Sequence, residues 1–272
     1  MRKLTEVKFE VDQIVVCTQL FESRNHHSPA RIYNRMSVLV IPGDEVHLDA
    51  GKPVLLGPGM YCNPKDQTIR PVNAGILNTS DSKKGQTVYI DYDSKRYMPA
   101  VGDLVIGNIT GAYSDSYRVS LSSFSTPVSL SYMAFPNASK KNRPTLKVGD
   151  LTYARVCYAE KELEAEIECM DSSTGQDTGF GLLEGGMIIE VSLGFARRLL
   201  FDNDFPLMKL LAQHTQFEIA IGLNGKIWIN CEEVKYTLAC YRSILESKEN
   251  QVTEYKNIIK KHFKEIANAV EE

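Results

Sequence analysis

The residues best placed to do chemistry in this chain are Lys140, Lys141 and Arg143, three cations within the four positions 140–143. Cations this close together neutralise phosphates, and the rings of Tyr132 and Phe135 just upstream offer faces on which bases stack. Tyr117 and Arg118, neighbours in an alternating segment, add a further ring and charge, and Lys95-Arg96-Tyr97 would extend the patch. The candidate RNA-binding set is therefore Lys140, Lys141, Arg143, Tyr117, Arg118, Lys95 and Arg96. A charge run of this kind is as often only a solvated loop, so its meaning depends on the element that carries it.

A second candidate is Gly222-Leu223-Asn224-Gly225, which has the Gly-x-x-Gly spacing of the loop that clamps a nucleic-acid backbone in KH domains. Its middle residues are not basic. An Asn-Gly pair between two apolar runs, Phe217 to Ile221 and Ile227 to Ile229, instead favours a two-residue hairpin turn with positive φ at both central positions. That reading makes Gly222, Asn224, Gly225 and the nearby Trp228 structural.

No catalytic constellation accompanies these candidates. A two-metal nuclease needs carboxylates that converge on one pocket. Glu160, Glu162, Glu164, Glu166 and Glu168 alternate instead, which puts them on one face of a strand, the solvated side. Neither a Gly-x-x-x-x-Gly-Lys-Ser/Thr phosphate loop nor a Gly-x-Ser-x-Gly elbow is present, so no cofactor is expected. The six cysteines are scattered without a Cys-x-x-Cys pair, and His26-His27 has no acidic or thiol neighbours, so no metal centre is expected either. The chain reads as a protein that is not an enzyme.

The elements that must position the candidates follow from patterning. With 272 residues the chain is long enough for two or three small domains. Its 31 basic and 34 acidic residues give a net charge of −3, so any nucleic-acid contact must be local. No apolar run approaches the ~20 residues of a membrane span, and a soluble, intracellular protein is expected.

Residues 1–35 read as an arm, disordered or dispensable, with one short apolar run at Ile14-Val15-Val16. Residues 36–93 open on the strand Val38 to Ile41 and continue as short apolar runs broken by Gly57-Pro58-Gly59, Asn63-Pro64 and Arg70-Pro71, a small β domain. Residues 94–172 contain an internal echo, Val101-Gly102-Asp103-Leu104 and Val148-Gly149-Asp150-Leu151, each opening a strand. Between them, Tyr117 to Leu121 and Val128 to Tyr132 alternate with period two, and Leu163 to Cys169 follows. Five strands in so short a span fit an OB-type barrel, a fold that commonly holds single-stranded nucleic acid. Residues 180–272 form an α/β module. Its elements are a strand from Met187, helices over Phe195 to Phe201 and Leu207 to Ala212, the hairpin, a helix with the stripe Val234, Leu238, Tyr241, Leu245, and a last helix. That last helix is N-capped by Thr253 and carries the stripe Tyr255, Ile258, Ile259, His262, Phe263, Ile266, Val270.

In this order, a small β domain, an S1-like barrel and a KH-like domain resemble the cap subunits of the eukaryotic RNA exosome, and within that family the branch called ribosomal RNA-processing protein forty. Gly57-Pro58-Gly59-Met60-Tyr61, Ile69 to Asn73, Tyr89 to Tyr92, Val128 to Pro144 and the Gly-x-Asn-Gly segment carry the resemblance. It implies a non-catalytic subunit that stabilises a ring of RNase PH-like proteins and contacts other cap subunits. Such a subunit guides single-stranded RNA to a separate 3′-to-5′ exoribonuclease in nucleus, nucleolus and cytoplasm, for ribosomal RNA processing and for decay of messenger and noncoding RNA. The resemblance also implies that the Gly-x-Asn-Gly turn is structural and lies between the S1 and KH modules. Val128 to Pro136 and Gly57 to Tyr61 are the candidate docking surfaces. The competing readings are a free-standing RNA-binding regulator and a 3′-to-5′ exoribonuclease.

Overall fold

The computed structural model describes residues 14–16, 38–46, 53–82, 85–139, 141–160, 162–171, 174–176, 179–202 and 204–268. The chain forms two compact units, one within His27–Ser94 and one made of Met1–His26 with Lys95–Glu272. Of the N-terminal arm, only β1 (Ile14–Val16) is described. The rest of the arm, with His26-His27, lies outside the described residues, as do Lys140 and Val270.

The first unit is all β among its described residues. A sheet in the order β2-β6-β7-β3 is built from β2 (Val38–Val40), β3 (Val54–Leu56), β6 (Gly75–Ser82) and β7 (Gly85–Asp91). A separate hairpin joins β4 (Met60–Cys62) to β5 (Ile69–Pro71). Val40, Val88 and Ile90 are buried, while Val38, Leu39, Ile41, Leu55, Tyr61 and Val72 face outward.

The second unit begins with the barrel. Its strands are β8 (Leu104–Ala112), β9 (Ser116–Ser120), β10 (Val128–Ser131), β11 (Leu151–Tyr158) and β12 (Glu166–Glu168), in the order β12-β10-β9-β8-β11. A β11–β12 pairing closes the barrel, and β13 (Gly181–Leu183) adds to the other side of β11. Period-two alternation sends Val105, Ile109, Val119, Val128, Leu130, Ala154, Val156 and Ile167 into one core.

The two Val-Gly-Asp echoes are the same turn used twice. Gly102 (φ +97) and Gly149 (φ +100) both sit in the left-handed region. Asp103 and Asp150 each accept from the backbone N–H three residues earlier, of Ala100 at 3.2 Å and of Lys147 at 2.7 Å. Each glycine N–H then bonds the partner strand, Gly102 to Val156 O and Gly149 to Ile109 O, both at 2.8 Å. One motif thus starts both strands of the antiparallel β8–β11 pair.

The expected strand from Leu163 is shorter than its alternation suggests, and one glutamate departs from the solvated face. Barrel closure sets Glu168 opposite Arg155, whose Nε donates to it at 3.1 Å, and shields both side chains. Glu160, Glu162, Glu164 and Glu166 stay exposed.

The last module runs β14 (Met187–Glu190), α1 (Leu193–Phe201), α2 (Pro206–Ala212), β15 (Phe217–Gly222), β16 (Lys226–Asn230), α3 (Val234–Ser247) and α4 (Tyr255–Asn268). Ser192 caps α1 by accepting from Phe195 N at 3.2 Å, and Pro206 begins α2 where no N–H is needed. The sheet order is β1-β15-β16-β14, with β1 parallel to β15 at its edge. The helices cover the sheet over a core that includes Ile189, Leu207, Leu211, Ile219, Ile227, Ile229, Cys240, Ile244 and Ile259.

Two helix expectations are corrected. In α3, Val234 is exposed, and the buried face is Thr237, Ala239, Cys240, Ser243, Ile244 and Ser247. Small residues let the helix approach closely, and Tyr241 and Leu245 fill its flanks. Thr253 is not an N-cap but lies inside a 3-10 turn, Val252–Glu254, that leads into α4. Over its described residues, Tyr255 to Ile266, the α4 stripe is as read, with His262 buried and its Nε2 2.6 Å from Glu246 Oε2.

Candidate functional site

Two places on the barrel hold most of the residues singled out above. The first is its outer face around the β8–β9 turn. Strand β9 alternates Tyr117 in, Arg118 out, Val119 in, and so presents the Arg118 guanidinium to solvent. A register shift in β8 sets Gly111 opposite Arg118, and any Cβ at Gly111 would stand 3.3 Å from the Tyr113 ring. Glycine there leaves room for Tyr113, which is exposed and lies 5.8 Å under the Arg118 guanidinium.

A second arginine–tyrosine pair meets the same turn. The Arg143 guanidinium lies 5.5 Å over the Tyr132 ring, and its Nη1 donates to Ser114 O at 2.9 Å. Tyr132 Oη donates to Tyr113 O at 2.6 Å. Both cations are exposed beside aromatic faces, which suits phosphate contact together with base stacking.

Tyr117 is corrected from a stacking surface to an anchor. Its ring is buried edge-on to Tyr132 at 4.5 Å, and its hydroxyl donates to Pro144 O at 2.6 Å while its oxygen accepts from Leu146 N at 3.0 Å. It therefore pins the segment that follows Arg143. Lys141 is exposed on that loop.

Lys95 and Arg96, both exposed, do not extend this patch. Tyr97 next to them is buried and donates to Asp103 at 2.8 Å, before the first residue of β8, whereas Arg143 reaches Ser114, past its last. Nine residues of strand separate the two, about 30 Å. Burial raises the Asp103 carboxyl above its ordinary range, and the Tyr97 hydroxyl is pushed up by burial and by that carboxylate. Sequence reasoning missed Tyr113, an aromatic in the polar turn Ala112 to Ser116, and Glu164, whose Oε1 lies 3.9 Å from Arg118 Nη2.

The second place is the seam between barrel and last module. The Gly-x-Asn-Gly segment is a hairpin turn, though not the two-residue kind. Gly222 pairs with Lys226, leaving three loop residues, and only Gly225 has positive φ, at +77. This is a turn closed by Gly225 N to Gly222 O at 3.1 Å, with the left-handed residue last.

Asn224 departs from the expected conformation because its side chain is committed elsewhere. Oδ1 accepts from Ile106 N at 3.2 Å, and Nδ2 donates to Ile106 O and Leu121 O, both at 2.8 Å. The amide is buried in the barrel wall with three bonds made. Leu223 N donates to Leu104 O at 2.7 Å, and a Cβ at Gly222 would lie 2.9 Å from Ile106 N.

Around this key, Leu104, Ile106, Tyr153, Ala220 and Trp228 form one apolar cluster, and Trp228 Nε1 donates to Gly185 O at 2.9 Å. Gly222, Asn224 and Gly225 are buried and Leu223 N is bonded to Leu104 O, so this Gly-x-x-Gly segment is packed into the seam instead of forming an open phosphate loop. The connection between α1 and α2 is no substitute, since Asp202 and Asp204 stand there.

Fold and site together define a three-module protein of the S1 and KH class. Three family models match: an exosome complex exonuclease Rrp40 N-terminal domain at residues 54–96, the S1 domain of exosome complex component RRP40 at 97–181, and a KH domain at 186–235. Exosome complex component RRP40 of Saccharomyces cerevisiae is 65% identical over 240 residues, which cover 87% of this chain and 100% of that protein. The Homo sapiens protein of the same description is 35% identical, over 76% of this chain and 74% of the relative. A crystal structure of an exosome complex RNA-binding protein aligns with a TM-score of 0.51 at 26% identity, covering 65% of this chain and 99% of that one. The chain belongs to the RRP40 family of exosome complex components.

Proposed function

We propose that the chain is a non-catalytic cap subunit of the RNA exosome that guides single-stranded RNA across the outer face of its S1 barrel. The observation that carries this reading is the convergence of two arginine–tyrosine pairs, Arg118 with Tyr113 and Arg143 with Tyr132, on one exposed turn. Phosphate contact and stacking without base-edge recognition hold RNA of any sequence and let it slide. Lys141 would add a phosphate contact from the same loop.

Partners would be the RNase PH-like ring and the other cap subunits, with ribosomal RNA precursors, messenger RNA and noncoding RNA as cargo in nucleus, nucleolus and cytoplasm. Permanent assemblies typically bury about 2,000 Å² or more of largely apolar surface. The exposed side chains of Val38, Leu39, Ile41, Leu55, Tyr61 and Val72 in the N-terminal domain supply apolar area for such burial. Within the Val128 to Pro136 tract, Val128 and Leu130 are barrel core and Met133 is exposed, so that tract is only partly free to dock. A non-catalytic role is supported by the make-up of the barrel face, where the Arg118 and Arg143 guanidinium groups lie over tyrosine rings and Glu164 is committed to Arg118.

The test is affinity purification of the tagged chain with quantitative mass spectrometry, together with metal-supplemented incubation of the pure chain with labelled RNA. Stoichiometric recovery of RNase PH-like and S1-domain proteins, with RNA left intact, is expected. A chain recovered only with RNA would make it a free-standing regulator, and metal-dependent degradation would make it an exoribonuclease.

A further inference from the structure

We propose that Glu164 sets the strength of the RNA site by acting as a resident competitor for the Arg118 guanidinium, so that RNA phosphate binds there only by displacing a carboxylate of the chain itself. The inference rests on the reading of this barrel face as an RNA path and deepens it. Glu164 belongs to the segment between β11 and β12, and the adjoining Ala165 packs on the barrel core and accepts from Ser129 N at 3.0 Å. The carboxylate is thereby delivered to the guanidinium, at 3.9 Å, by an anchored backbone.

The register places it as one bank of a groove. Ser129 on β10 is the Cα partner of Arg118 on one side and of Glu166 on the other. Their inward neighbours Val119, Leu130 and Ile167 are all buried, so Arg118, Ser129 and Glu166 share the outer face. Cations and rings therefore lie on the β8–β9 side, at Tyr113, Arg118, Tyr132 and Arg143, and carboxylates on the β12 side, at Glu164 and Glu166. A phosphate backbone is confined to the cationic bank. At Arg118 it exchanges one anion for another, and the net gain is small.

Both partners are about half exposed, at 48% each, so the competition is that of a surface ion pair. Removing it should tighten binding by about two- to fivefold. A strand that must move through a guide needs each hold to be weak, and the carboxylate supplies that weakness without removing the charge that attracts RNA in the first place.

The experiment is fluorescence anisotropy of a labelled single-stranded oligouridylate with the full-length chain, as a function of salt, for wild type, Glu164→Gln, Glu162→Gln, Arg118→Ala and the Glu164→Gln/Arg118→Ala pair. The expected results are tighter binding and a steeper salt dependence, by up to about 0.7 in the logarithmic slope, for Glu164→Gln. Little change is expected for Glu162→Gln, which removes the same charge, and no gain from Glu164→Gln once Arg118 is gone. Unchanged affinity on Glu164→Gln, or an equal gain from Glu162→Gln, would overturn the inference while leaving the RNA face standing. Unchanged affinity on Arg118→Ala would instead overturn the RNA path at this position.

Discussion

The seam at Asn224 and the outer face at Arg118 lie on one barrel and use polar chemistry in opposite ways. At the seam, a neutral amide is buried with three hydrogen bonds made, and a tryptophan and a tyrosine close around it. On the outer face, arginines rest on tyrosine rings and one is shared with a glutamate, all near solvent. Buried polar groups are expensive to leave unpaired, so the seam fixes a single arrangement of barrel and KH module. Exposed ion pairs are nearly neutral, so the face can exchange partners. One polar region holds the subunit's shape, and the other handles a moving ligand.

The largest effect that could break this comparison belongs to Asn224→Asp. The substitution keeps the shape but turns the donor Nδ2 into an oxygen facing the Ile106 and Leu121 carbonyls. A loss of about 3–5 kcal/mol in urea denaturation is expected. A loss below 1 kcal/mol would mean that the amide is not a key. Trp228→Ala should follow, at about 3 kcal/mol, by emptying the cluster between Leu104, Tyr153 and Ala220. RNA affinity measured on whatever fraction stays folded should hardly move.

The converse substitution, Arg143→Ala, is expected to weaken single-stranded RNA by up to about fivefold and flatten the salt slope by about 0.7, with the denaturation midpoint almost unmoved. A collapse in stability instead would make Arg143 a structural residue through Ser114, and the two regions would no longer differ in kind.

The smallest effect comes from a place between the extremes, where buried His262 bonds a partly exposed carboxylate. The His262 hydrogen bond, helped by Lys261, holds the Glu246 carboxyl below the usual carboxylate range. A depressed acid contributes stability above its unfolded pKa of about 4.3 and loses it as pH falls through the lower folded value. Glu246→Gln should therefore destabilise at pH 7 by under about 1 kcal/mol and by less as acid is added, in a denaturation series from neutral to acidic pH. A penalty that grows with acid would give the wrong sign.

Much of this was legible along the chain, and the failures have physical causes. The Val-Gly-Asp echo named both barrel strand starts, because a left-handed glycine beside a carboxylate that accepts three residues back is a local motif. Alternation marked Tyr117, Val119 and Leu121 as one face, and that parity already argued for Tyr117 inside and Arg118 outside. Ranking by chemistry instead of parity put Tyr117 among the RNA contacts.

The α3 stripe misled because the residues against the sheet are small, and hydrophobicity points to the large residues on the flanks. What no local pattern holds is the destination of Asn224. Its partner Ile106 lies 118 positions away, and the buried bonds that hold its side chain, rather than turn propensity, set its backbone.

The most direct test of the account is photo-crosslinking of 4-thiouridine-substituted single-stranded RNA to the chain in its purified complex, with the crosslinked peptides read by mass spectrometry. Crosslinks at Tyr113 and Tyr132, lost together when Arg118 and Arg143 are replaced by alanine, are what an outer-face path predicts. Crosslinks confined to the Gly222 to Gly225 turn or to the Asp202 to Phe205 connection would contradict it.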